Sequence, residues 1–328
     1  MKLFDSRWDG PHGIGRFSTE LLRRLDGFQR VDLPGRPSEA IDPWRLGAYL
    51  RRQRPRMFIS PGYNAPALTA CPFFFCLHDL NHLNPGEPRG AAKRAYYRLM
   101  VRPAILRAQR VFTVSEFSRR AICEWAAVDP HRIVNVGNGV AAEFGSRGKS
   151  FDEFDRPYFL HVGGCRPHKN LFRLLLAWST RPSLRECLLV CVGEPTKAAR
   201  ESIVRLGLEG RVIFSGLVSD DKLAQLYRGA TALVFVSLYE GFGLPIVEAM
   251  ACGCPVITSS VASMPEVAGD AAILVDPCDV HAIGAQCERL LQDPALRDAL
   301  RVRGIERARI FHWDDVAARV RAALSAYL

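Results

Sequence analysis

Short β-rich apolar runs alternate with helical stretches along the whole chain, and the series runs through twice. In the first half the runs lie at 2–4, 57–60, 73–78, 111–115 and 133–136, with helical patterns near 15–26, 44–54, 91–109 and 116–127. The series restarts at 158–162 and continues at 188–192, 212–214, 232–236, 256–258 and 272–275. Helical spacing fills the gaps at 170–180, 197–206, 220–228, 245–251, 280–291 and 294–310. Strands joined through helices pair in parallel, because a parallel neighbour needs a crossover connection. The pattern predicts an α/β fold of two Rossmann-like domains facing a central cleft, where ligands gather at strand carboxyl ends.

The boundaries follow from where periodicity fails. Residues 141–156 are rich in Gly, Ser and charge, so the chain is expected to cross between domains there, giving domains 1–150 and 151–312. In the remaining segment, 313–328, Val316, Val320, Ala323, Leu324 and Tyr327 recur at near-helical spacing after Phe311 and Trp313. A closing amphipathic helix is predicted, returning to the first domain.

Several function classes are excluded early. No apolar run approaches the roughly 18–20 residues that span a bilayer. Charged residues at Lys2, Asp5, Arg7 and Asp9 interrupt the apolar core that a signal peptide requires, so a cytoplasmic protein is expected. The ten cysteines sit mostly inside apolar runs with no CxxC pair, the pattern of reduced, buried thiols. Charge is uneven: residues 1–156 hold 25 Lys and Arg against 16 Asp and Glu, while 157–328 hold 19 against 18. A basic first half suits a phosphorylated substrate or an acidic membrane surface. Zinc-finger, RNP-like and basic-aromatic patterns are missing from the sequence, which argues against nucleic acid as a partner.

The segment LYEGFGLPIVEAMACGCPVIT at 238–258 reads strand, glycine loop, helix, strand. Gly241 and Gly243 permit close backbone approach, and Pro245 suits a first helical turn. The amides of Gly241, Phe242, Gly243 and Leu244 would then face whatever anion the helix start holds. Glu240 and Glu248 flank this loop, carboxylates able to accept hydrogen bonds from sugar hydroxyls. A second segment, HVGGCRPHKN at 161–170, ends a strand in Gly163 and Gly164 and carries Arg166 and Lys169, two cations fit to neutralise a departing diphosphate.

In the first half Gly13 and Gly15 precede a helix but lack the GxGxxG pattern, so a dinucleotide fingerprint is disfavoured. His78 follows an apolar strand, at the strand end where α/β enzymes place working groups. A metal pair of His78 with His82 would need a helix that Pro85 opposes. The 91–110 stretch sets Arg94, Arg98 and Arg102 on one face beside apolar residues, suited to an anionic membrane surface, a lipid pyrophosphate or simple solvation.

Taken in order, these segments resemble the GT-B-fold, retaining glycosyltransferases of family GT4. The resemblance rests on the Glu240-x7-Glu248 signature together with Gly13-Ile14-Gly15-Arg16-Phe17, His78-Asp79, the run from Thr113 to Ser118, and Asn138-Gly139-Val140. It continues through His161 to Gly164, Lys169-Asn170, Ser215-Gly216 and Pro265-Glu266-Val267. It implies that Glu248 binds the nucleotide ribose, that Glu240 and the 241–244 amides hold the sugar and its diphosphate, and that Arg166 and Lys169 neutralise the leaving group. It also implies that the Gly13 to Gly15 loop approaches the donor phosphates and the acceptor, and that His78 lies near the transferred sugar. The nucleotide base is expected against loops near 192–194 and 216–218, including Val218. The expected donor is GDP-mannose, by likeness to bacterial mannosyltransferases, with UDP- and dTDP-sugars as alternatives. The expected acceptor is a lipid-linked or growing glycan, and no metal is expected. A sugar-nucleotide epimerase is the alternative activity on the same architecture.

Overall fold

The computed structural model describes residues 1–10, 12–84 and 90–327. The chain forms two compact units, Met1–Gly139 with His312–Leu328, and Val140–Phe311. Each is built on a six-stranded, wholly parallel sheet.

In the first unit the strands are β1 (Lys2–Phe4), β2 (Phe28–Arg30), β3 (Met57–Ser60), β4 (Phe73–Cys76), β5 (Arg110–Thr113) and β6 (Ile133–Asn135), in the order β2-β1-β3-β4-β5-β6. Its helices are α1 (Gly13–Leu22), α2 (Asp42–Gln53), α3 (Gly90–Tyr96), α4 (Arg102–Arg107) and α5 (Glu116–Ala126). β3 and β4 are buried throughout, and Phe58, Phe73 and Phe75 join Leu46, Leu50 and Ile105 in one core. Buried on both faces, such strands read as continuous apolar runs.

The second unit comprises β7 (Tyr158–Val162), β8 (Leu188–Val192), β9 (Val212–Phe214), β10 (Ala232–Phe235), β11 (Val256–Ser259) and β12 (Ile273–Val275), ordered β12-β11-β10-β7-β8-β9. Around it lie α6 (Leu171–Ser179), α7 (Lys197–Arg205), α8 (Asp220–Gly229), α9 (Leu244–Ala251), α10 (Met264–Ala268), α11 (Val280–Gln292) and α12 (Pro294–Ala308). α6 shows how sequence sets packing. Leu171, Leu174, Leu175 and Trp178 recur at helical spacing and are all buried, with Trp178 edge-on to Phe159 of β7 at 5.2 Å.

Four features depart from the sequence reading. Residues 141–156 are not a free crossing. They pack on the second unit, where the Arg228 guanidinium donates to the Gly145 and Lys149 carbonyls and the Phe151 amide donates to Gln225. The division therefore falls at Gly139 rather than at residue 150. The long helix expected over 91–109 is split: a π-helical stretch at Tyr97–Val101 separates α3 from α4. Pro103 has no N–H to continue the ladder, and the Arg102 amide reaches back to Tyr97, the longer bond of a π turn. Arg94, Arg98 and Arg102 are exposed along this region, as is Leu99. β2 and α10 were not expected at all. They have three and five residues, too few to show a period.

The final helix, α13 (Trp313–Leu324), belongs to the first unit, where Trp313 lies edge-on to Phe17 of α1 and Arg24 pairs with Asp314. Among the described residues no helix is long and apolar enough to cross a membrane.

Candidate active site

The order of the second sheet reverses between β7 and β10: the chain steps from β7 outward to β8 and β9, then returns to the other side of β7 at β10. Such a reversal opens a crevice at the strand carboxyl ends. The two segments singled out in the sequence are the loops after β7 and β10. Lys169 and Glu240, 71 positions apart in the chain, meet there, with Lys169 Nζ 2.7 Å from Glu240 Oε1. Both side chains are largely shielded, 15% and 13% exposed, so their attraction is screened less than a surface pair's.

Several local constraints put them there. Gly163, at φ +147°, leaves room for the lysine stem, because a Cβ on it would come within 2.8 Å of Lys169 Cδ. Asn170 adopts a left-handed conformation and donates from Nδ2 to the carbonyls of Val236 and Pro277, tying the start of α6 to the end of β10. The Leu238 amide donates to the His168 carbonyl at 2.7 Å, bracing one loop directly against the other. Gly243, at φ +98°, turns the chain into α9, and Pro245 occupies the first turn, where a missing N–H costs nothing. Phe242 anchors the loop edge-on to Phe311 at 5.6 Å.

Glu248 lies inside α9 and is 4% exposed. Its Oε2 accepts from the Tyr227 hydroxyl of α8 at 3.1 Å. Burial, with the neighbouring carboxylate, pushes the Tyr227 phenol far above its ordinary range, so it remains a donor. Beneath the loops, His161 of β7 is fully buried, and burial lowers its pKa to about 4. Arg166 is exposed at its turn, with no ion pair among the described residues. Gly164, at φ +66°, completes that turn. Val218 is half-buried just beyond the Gly193 to Gly216 bridge that links the loops after β8 and β9.

The first sheet also reverses, between β1 and β3. A buried polar network occupies that end of the sheet, and the sequence reading missed it. Arg7 reaches Asp5 and Asp42 at 2.7 Å each, and Asn64 donates to both carboxylates while accepting from Trp8 Nε1 and Ser60 Oγ. Asp5, Asp42, Ser60 and Asn64 are fully buried. Asp5 and Ser60 lie at the ends of apolar strands, whereas Asp42 opens α2 and Asn64 lies in the loop after β3, so no shared pattern marks them in the sequence.

His78 follows β4, its Nε2 2.9 Å from the Pro61 carbonyl and its ring edge-on to Phe17 at 4.9 Å. Burial lowers its pKa to about 4, so the imidazole is neutral near pH 7. Because a carbonyl only accepts, Nε2 carries the proton and Nδ1 is an acceptor. Gly13 opens α1, and the Gly15 amide is already engaged by His12 Nδ1 at 2.9 Å, the helix cap. This amide serves the chain's own loop.

Residues 146–308 match the family of group 1 glycosyl transferases, and residues 11–139 match the glycosyl transferase 4-like domain. The chain is 30% identical over 361 residues to O-antigen chain mannosyltransferase B of Escherichia coli, with 92% of this chain and 93% of that protein covered. The chain belongs to the group 1 glycosyltransferases.

This transferase is also 30% identical over 274 residues to the serotype-specific mannosyltransferase WbdA of Escherichia coli, spanning 33% of that longer protein's length. Among solved structures it is similar to sucrose-phosphate synthase from Thermosynechococcus elongatus, with a TM-score of 0.81, 19% identity and 99% and 98% of the two chains covered. That likeness shows the GT-B fold. Such an enzyme works between a nucleotide-sugar donor and a glycan acceptor, and the matched 146–308 region contains both β7 and β10 loops.

Proposed function

We propose that the transferase is a retaining, metal-independent mannosyltransferase that moves mannose from GDP-mannose to a hydroxyl of a growing or lipid-linked polysaccharide. The observation that carries the reading is the Lys169–Glu240 pair at the β7/β10 reversal, beside the glycine-turned start of α9. A helix start and a fixed ammonium together favour a diphosphate, and the carboxylate beside them suits sugar hydroxyls. The mannose assignment is supported by relatives named as mannosyltransferases.

In this reading the bond from the sugar's anomeric carbon to the β-phosphate oxygen breaks and a bond to the acceptor oxygen forms on the same face. The acceptor proton passes to the departing phosphate, so no separate nucleophile is required. Lys169, joined by Arg166, offsets charge on the leaving diphosphate, the role a divalent cation fills elsewhere. Glu240 and the amides of Gly241 to Leu244 hold the sugar and diphosphate, Glu248 takes the ribose with Tyr227 fixing one of its oxygens, and the base lies by Val218. His78, on the first unit, presents a neutral Nδ1, an acceptor suited to a hydroxyl.

A thermal-shift titration with GDP, UDP, dTDP and their common sugar conjugates, run in EDTA, tests the reading. Ligand binding to the folded state alone raises its melting temperature. GDP and GDP-mannose are expected to stabilise the enzyme undiminished by chelation. Stabilisation by the UDP or dTDP series instead overturns the GDP-mannose assignment, and dependence on added Mn²⁺ overturns metal independence. Product formed from donor without acceptor favours the epimerase.

A further inference from the structure

Three hydroxyls hold the backbone that leads from β10 into the glycine loop. Thr258 Oγ1 donates to the Phe235 carbonyl at 2.9 Å, and Ser259 Oγ donates to Ser237 at 2.6 Å. Ser263 Oγ shares its proton between the carbonyls of Glu240, at 2.9 Å, and Phe242, at 3.0 Å. Thr258 and Ser259 belong to β11, the neighbouring strand, so the first two grips follow from sheet register. Ser263 does not belong to a strand.

Two local sacrifices accompany its placement. Ser263 stands immediately before α10, where a serine normally caps the helix, yet its side chain makes no capping bond there. The preceding residue, Ala262, sits at φ +56°, a left-handed conformation that is costly with a Cβ. The fully buried hydroxyl is thus turned away from its own helix and into the loop.

A peptide unit is planar and trans, so its N–H points opposite to its C=O. Fixing the Glu240 and Phe242 carbonyls toward Ser263 aims the amides of Gly241 and Gly243 away from it. We propose that Ser263 is a positioning residue for phosphate recognition: its bifurcated bond orients the amides that meet the donor's β-phosphate. This rests on the reading of the 240–244 loop as the diphosphate holder. Nothing in the reaction requires Ser263 to touch the donor, and the pre-set amides spare the loop reorganisation when the anion arrives.

The test compares Kd for GDP and GMP, and for UDP and UMP, in the wild type, Ser263→Ala and Ser263→Thr, with melting curves confirming that each variant folds. Loss of one such bond, at about 1.4 kcal/mol, corresponds to about tenfold weaker binding. Ser263→Ala is expected to weaken diphosphate binding by about tenfold and leave monophosphate binding within about twofold, with Ser263→Thr recovering most of the difference. Equal effects on both phosphates, or none, overturn the proposal. Wild-type protein that binds neither diphosphate more tightly than its monophosphate overturns instead the diphosphate reading of the loop. If Ser263→Thr fails to fold, the diphosphate-to-monophosphate ratio of Ser263→Ala decides alone.

Discussion

Glu240→Ala lowers the rate of sugar transfer by about 10³-fold or more while the protein stays folded, since losing a group that acts on the reacting sugar costs at least as much as losing an oxyanion-hole donor. The carboxylate does two things. In the proposed mechanism it accepts hydrogen bonds from the sugar, and at 2.7 Å it balances Lys169. Alanine removes both, leaving a largely shielded ammonium without its counter-charge. Glu240→Gln keeps the shape and some of the hydrogen bonding, so its rate is expected between the two. Initial rates with donor and acceptor, alongside melting curves, measure the effect. A near wild-type rate for Glu240→Ala contradicts the site assignment.

Arg7→Met is expected to produce the largest loss of stability, about 3–5 kcal/mol, the usual cost of removing one partner from a buried ionic group. Asp5 and Asp42 are fully buried, and the Arg7 side chain is 9% exposed. The two carboxylates hold the guanidinium well above its ordinary pKa against the opposing effect of burial, so it is charged at any accessible pH. Methionine leaves two buried carboxylates with the Asn64 amide and, for Asp5, the backbone N–H of residue 7, and no counter-charge. Trp8, in the turn that follows β1, donates to Asn64 of the same network, so the setting of that turn depends on the same charges. Urea unfolding of the intact chain measures the loss. Combining Arg7→Met with Asp5→Asn and Asp42→Asn is expected to return a large part of the stability, because a neutral network leaves no charge stranded. A single-variant loss below about 1 kcal/mol contradicts the account of this network.

The elements that position the candidate site were legible because they obey local rules. β7 and β8 are short β-rich runs, apolar but for His161, each followed by glycine, and their observed bounds coincide with the sequence reading. Pro245 and the paired glycines marked the start of α9 within a residue. That Lys169 and Glu240 form an ion pair was not legible, since 71 residues separate them and the sheet order decides the contact. The residues that went unnoticed depend wholly on tertiary placement. Asp5, Arg7, Asp42 and Asn64 come from three separate stretches and carry no motif. Ser263 looks like an ordinary helix cap in sequence, and only its backbone setting shows otherwise. The π stretch at Tyr97–Val101 was hidden because a helical apolar period continues through it, although Pro103 was a visible warning.

Amide hydrogen exchange with and without GDP-mannose tests the central claim, that the donor is held at the β7/β10 reversal of the second unit. Slowed exchange is predicted in 163–171 and 240–246, with a smaller effect in 193–194 and 216–218. No slowing in the first two segments, or slowing confined to the first unit, would contradict it.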